Sequence, residues 1–176
     1  MRTMTSRNCV QPARRNWRGA ELTSHREILE LPYRPEDLFD LAADVAHYPD
    51  FITWIRSLKL LSEQEEPGRM RCRAEVLVGF KNFNETFVTD VDARAADLAI
   101  DVSLVRGPFR KLSNAWRFKP SAVGARVEFA IQFEFRNFVL QALADANKTF
   151  AVKRVIEAFV NEAGRRYPRI GSGPTA

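Results

Sequence analysis

The chain has 176 residues, 45% of them apolar, with 13 Phe against three Tyr, and no apolar run nears the roughly 20 residues of a membrane-spanning helix. Its net charge of +5 sits in residues 1–20, where Arg2, Arg7, Arg14, Arg15 and Arg18 stand without an acid; the remainder holds 22 basic and 22 acidic residues. A DNA-binding domain keeps its basic excess in the folded part, so no DNA partner is expected.

Residues 1–22 lack apolar periodicity and read as a disordered Arg-rich extension. They have no continuous apolar segment of a secretory signal, and their composition also fits a mitochondrial transit peptide. One domain is expected over 23–168, then a disordered tail over 169–176. His25 to Leu31 reads as a strand. Pro35 suits the first position of a short helix through Ala43, and His47-Tyr48-Pro49 should break it before a second short helix from Asp50 to about Trp54.

Strands follow at regular spacing: Ile55–Gln64, Arg69–Val78, Phe83–Val91, Asp97–Val105 and Phe109–Phe118. Each is bounded by a turn such as Glu65-Glu66-Pro67-Gly68 or Arg106-Gly107-Pro108. Leu98, Ile100, Val102 and Leu104 share one phase, and Val127, Phe129, Ile131, Phe133 and Phe135 alternate with polar residues in the last strand. From Asn137, a plausible N-cap, the period becomes helical. Phe138, Val139, Ala142, Leu143, Ala146 and Phe150 share a face that Val152, Ile156, Phe159, Val160 and Ala163 continue. About 28 residues make a helix of about 42 Å, ended by Pro168. Short turns require antiparallel neighbours, and a sheet of this many strands curls. The expected fold is α+β of the helix-grip kind: a curled antiparallel sheet wrapped around a long C-terminal helix, with two short helices after the first strand.

Convergent chemistry is sparse. His25 and His47 have no ligand spacing, and Cys9 and Cys72 form no metal pattern, so no metal site and no catalytic residue are assigned. Glu85 is the one carboxylate in phase with the inward candidates Phe83 and Phe87. It is a candidate polar anchor together with Asn114, or a residue turned outward at a strand edge. Val76, Phe83, Phe87, Leu112, Trp116, Phe129, Phe133, Leu143 and Phe150 are the candidate lining of an apolar cavity. Each one taken singly is better explained as close-packed core, whereas the set, under a long helix on a curled sheet, points to a cavity. Trp54 and Phe109 fall in loops, which makes them candidates for a pocket rim or for contact with a membrane.

Tyr48-Pro49-Asp50-Phe51-Ile52-Thr53-Trp54 resembles the first signature of the coenzyme Q-binding START-domain family. Val78-Gly79-Phe80, the run Gly107-Pro108-Phe109-Arg110-Lys111-Leu112-Ser113-Asn114 through Trp116, and Phe133-Glu134-Phe135 are similar to its later ones, in the same order. Thr53 departs from that pattern, where the family often has Pro. The ribosome-association toxin family shares these motifs, and both belong to the polyketide cyclase and lipid-transport superfamily. The resemblance implies a non-enzymatic protein that binds ubiquinone as ligand, with no catalytic cofactor. It would act as a lipid chaperone in respiration, with a transient membrane surface as partner. It implies the bacterial cytoplasm, peripheral at the inner membrane, or the mitochondrial inner membrane in a eukaryote. Two alternatives stand beside it: an inhibitor of ribosomal subunit joining, with the ribosome as partner, and an aromatase or cyclase.

Overall fold

The computed structural model describes residues 22–80 and 83–171, without the side chains of Phe80, Phe83 and Lys148. The Arg-rich segment before Leu22 and the last five residues lie outside the described residues. In chain order the elements are β1 (Thr23–Leu31), α1 (Pro35–Ala43), a 3-10 turn (Val45–His47), α2 (Tyr48–Phe51), β2 (Ile55–Glu66), β3 (Arg69–Phe80), β4 (Phe83–Arg94), β5 (Ala99–Arg106), β6 (Phe109–Ser121), β7 (Gly124–Phe135) and α3 (Phe138–Arg166). The seven strands form one antiparallel sheet in the order β1-β7-β6-β5-β4-β3-β2. Helix α3 lies on its inner face against β1, β7, α1 and α2. This is the helix-grip arrangement.

Local chemistry accounts for most of these elements. Pro35 occupies the first turn of α1, with Glu36 and Asp37 beside it at the favourable end of the helix dipole. Asn137 caps α3, its Oδ1 accepting from Val139 N–H at 2.8 Å. Two expectations need correction. The second short helix comes earlier than predicted: Tyr48-Pro49 opens it instead of breaking the chain, because proline is tolerated in a first helical turn. Leu98 is not a strand residue; it sits in the β4–β5 turn at φ 46°. Beyond Pro168 the backbone remains attached, with Ile170 N–H donating to Pro32 O at 2.8 Å.

The dense core lies under the second half of α3. Val152, Ile156, Phe159 and Ala163 are buried there against Tyr33, Leu41, Ile100, Trp116, Val127 and Phe129. The outer face of the sheet is a lattice of ion pairs instead: Arg69–Asp92 and Arg73–Asp90 at 2.7 Å, and Asp101 shared by Arg94 and Arg117. A trough of about 840 Å³ crosses that face past Gln64, Ser103, Ser113 and Gln132.

One charged cluster closes the far end of the grip. Glu162, 5% exposed, accepts from Arg165 and Arg166 at 2.6 Å, and Arg166 also donates to Asp44 at 2.9 Å, joining α3 to the end of α1. Hydrogen bonds from Arg165, and then Arg166, hold the Glu162 carboxyl down to about 2. A carboxyl lowered on folding stabilises fully above its unfolded value of 4.5 and loses that contribution as pH falls toward about 2. Urea midpoints are therefore expected to drop across this acid window, and Glu162→Gln should flatten the drop. An equal acid slope in both proteins would place the sensitivity elsewhere.

Candidate functional site: the apolar concavity beneath the long helix

The sheet's inner phase carries two aromatic groups that behave differently. In the first, the Trp116 ring lies 4.5 Å from Phe129 and 4.8 Å from Phe159, and stacks on Phe118 at 6.1 Å. The space left there, among Leu29, Leu38, Trp116, Phe118, Phe159 and Val160, is about 20 Å³. That is room for no more than about one water molecule. Trp116 and Phe129 are thus close-packed core rather than the wall of a roomy cavity, and Val76, opposite Phe87, is also buried.

The second group lies toward the start of α3. Phe87 meets Phe109 edge-on at 5.3 Å, Phe109 lies 4.3 Å from Phe135, and Phe135 lies 5.9 Å from Phe133. Here Phe87, Val102, Leu104, Leu112, Ile131, Phe133 and Phe135 point inward yet remain only half-buried. The helix above contributes half-buried Leu140, Leu143, Ala144 and Asn147. The inner face in this half of the grip is therefore apolar but incompletely covered. Of the predicted lining, Phe87, Leu112, Phe133 and Leu143 meet here; the side chain of Phe83 lies outside the described residues.

Several predicted positions move. Phe109 is not a loop residue at an exposed rim. The β6–β7 register shifts between Phe109 and Lys111, so Arg110 is the extra residue of a bulge and Phe109 turns inward, 6% exposed. Phe150 is not in the cavity. It is 54% exposed, with the Arg154 guanidinium 5.2 Å above its ring. The stripe Phe138, Val139, Ala142, Ala146 and Phe150 faces solvent, because Gln141 takes the inward position of the first turns. Gln141 is buried and donates to Thr23 Oγ1 at 2.7 Å and to Asp145, while its Oε1 accepts from Phe135 N–H at 2.7 Å. Thr23 also donates to Asp145. A polar latch thus holds the start of α3 to β1 and β7. Its sequence signal was the i, i+4 pair Gln141 and Asp145, which apolar periodicity overlooks.

The polar anchors sort by direction. Asn114 stands opposite Val102 and Ile131 in the inward row, and its Oδ1 is buried without a partner. Trp54 packs against the core with Nε1 also buried and unpartnered, and its carbonyl accepts from Gly79 N–H at 2.8 Å. Glu85 lies in the inward phase opposite Val78 and is half-buried. Tyr48 offers nothing to a ligand, since its hydroxyl already donates to Ala42 O at 2.5 Å and burial pushes its pKa up. Burial likewise raises the Cys72 thiol to about 11, leaving it protonated. His25 pairs with Glu27 and His47 with Asp44. Among the described residues, no three His, Cys, Asp or Glu side chains converge as a metal site.

The fold and this concavity define a class first: a helix-grip domain with an apolar, partly open space between sheet and helix. The chain belongs to the polyketide cyclase / dehydrase and lipid transport family, whose profile matches residues 31–160. It is 30% identical over 142 residues to ribosome association toxin RatA of Rickettsia prowazekii, covering 79% of this chain and 93% of that one. It is 29% identical over 155 residues to the mitochondrial coenzyme Q-binding protein COQ10 homolog B of Xenopus laevis, covering 86% of this chain and 62% of that one. The solution structure of protein CC1736 from Caulobacter crescentus is 36% identical with a TM-score of 0.69, covering 82% of this chain and 97% of that one. Among the described residues, no helix is long and apolar enough to cross a membrane.

Proposed function

We propose that the protein is a non-catalytic carrier of a long-chain quinone, ubiquinone, which it loads and unloads at a membrane surface in support of respiratory electron transport. The observation that carries this reading is the half-covered apolar concavity together with two buried, unpartnered polar atoms. Trp54 Nε1–H is a donor of the kind a quinone carbonyl accepts, and Asn114 Oδ1 is an acceptor of the kind a quinol hydroxyl needs. An isoprenoid tail would gain roughly 25 cal/mol for each Å² of apolar surface taken from water. The coenzyme Q-binding relative supports the choice of ligand. An aromatase or cyclase reading would have to rest on Glu85, in the inward row of β4, or on the His25–Glu27 pair at 3.0 Å in the inward row of β1.

The test is native mass spectrometry with organic extraction on protein from ubiquinone-producing cells, paired with Asn114→Leu. Bound quinone is expected in the parent protein. The variant should fold with equal or slightly greater stability, since a lone buried acceptor costs about 1–3 kcal/mol, and should bind quinone about tenfold more weakly. Protein free of quinone that also takes up none on titration would overturn the carrier reading.

One observation favours a second reading, binding to the ribosome: the RatA relative. It requires association with ribosomes or their subunits that weakens steeply with salt. Pelleting insensitive to salt would retire it.

A further inference from the structure

The first half of α3 is built inside out. Its buried position holds Gln141, while Phe138 is 81%, Val139 49% and Phe150 54% exposed. Monomeric proteins seldom leave such a run of apolar tips uncovered without a partner for it. Because the strands are antiparallel and α3 follows β7, Phe138 and Val139 stand at the same end of the sheet as the β5–β6 turn. Arg136 fixes this junction: its N–H donates to Pro108 O at 2.8 Å and its Nε to Phe109 O at 3.0 Å.

Charge is segregated along the same axis. Arg56, at the start of β2, Lys111, at the start of β6, and Arg136 are exposed cations with no carboxylate partner among the described residues. Of the nearby acids, Glu134 pairs with Arg110 at 3.2 Å and Asp145 joins the latch, while Glu85 lies in the inward row of β4. The opposite end carries Asp37, Asp40, Glu63 and Glu65 on α1 and the β2–β3 hairpin, none of them ion-paired. Burial, and then the charges of Asp37 and Glu36, raise the Asp40 carboxyl.

We propose that the end of the sheet formed by the β5–β6 turn and the start of α3 is the face this domain lays on an anionic lipid bilayer, with Phe138 and Val139 entering the interface and Arg56, Lys111 and Arg136 meeting lipid phosphates. Apolar tips interleaved with cations suit a headgroup boundary. A nucleic-acid duplex would use the cations and leave the apolar tips of Phe138 and Val139 exposed. The half-buried apolar residues of the concavity lie toward this same end, so a docked domain would bring them next to the bilayer; the inference deepens the carrier reading and, for that purpose, rests on it.

The experiment is co-sedimentation of the full chain with quinone-free vesicles of phosphatidylcholine alone or mixed with phosphatidylglycerol. The parent protein is expected to pellet with the anionic vesicles. Phe138→Ser should weaken this by at least about tenfold and Arg136→Gln by about fivefold, while Glu65→Gln at the opposite end leaves it unchanged. Phe138 is exposed enough for thermal unfolding of its variant to match the parent. Equal pelleting of parent and Phe138→Ser would overturn the proposal and leave the Arg-rich residues 1–21 as the tether. So would a Phe138→Ser effect that appears instead on self-association or on pelleting with large ribosomal subunits. Quinone uptake in solution is scored separately: its failure with vesicle binding intact removes the carrier reading and not the docking face.

Discussion

Replacing Trp116 by alanine is expected to lower the unfolding free energy by about 3–5 kcal/mol. Trp116 is 5% exposed and touches rings from β6, β7 and α3 at once, through Phe118, Phe129 and Phe159. The gap beside it, about 20 Å³, cannot absorb the missing indole by collapse without moving the helix. The check is the urea midpoint at an unchanged denaturant slope. A loss below about 1.5 kcal/mol would mean that sheet and helix pack loosely there, and that this region is open to a ligand after all. Loss of quinone in this variant would report damage to the fold, so Phe133→Ala, at a half-buried position, is the sharper probe of the concavity.

Gly107→Ala is expected to cost about 2–4 kcal/mol and to disturb the site directly. Gly107 has φ +152°, and a Cβ there would fall 2.5 Å from Phe87 Cβ and 3.1 Å from Phe87 Cα. The obstacle is a strand, not the end of a flexible side chain, so β4 or the turn must move. Phe87 carries the ring stack that runs through Phe109 and Phe135, and a shift at Gly107 passes into the lining. Measured beside Phe87→Ala and the double variant, the two changes should couple, because they share one contact. Strict additivity, or a cost under about 1 kcal/mol, would sink this account of why the turn needs glycine.

Strand-level organisation was readable because the inner face is apolar and the outer face is charged. The alternation in β7 and in β3 is nearly uninterrupted, and the pairs Arg73–Asp90 and Arg69–Asp92 occupy the polar phase. The Asn137 cap and the Pro35 start were readable for the same reason, since each is a local contact between near neighbours. What escaped depends on distant chain. Phe109 turns inward only because Arg110 bulges against β7, a register event with no mark in the run of residues. The stripe ending in Phe150 has good helical periodicity, yet periodicity does not say which side faces the sheet. That was decided by Thr23, 122 residues away from Asp145, and by the Phe135 amide. The same limit separated the two aromatic groups: Trp116 and Phe133 sit in the same phase of neighbouring strands, and only the helix above makes one core and the other lining.

The latch of Thr23, Gln141 and Asp145 gives α3 two opening free energies within one unbroken rod. Its second half is secured by Val152, Ile156, Phe159 and Ala163, and leaves only with the whole core. The first three turns are secured by a few hydrogen bonds, each of modest net worth when water stands ready to replace it. They can fray and re-form as a separate cooperative unit while the rest of the molecule remains folded. Access to the interior is then expected by fraying from the capped end, which hydrogen exchange would read as faster amide exchange in the first three turns of α3 than around Val152 to Ala163.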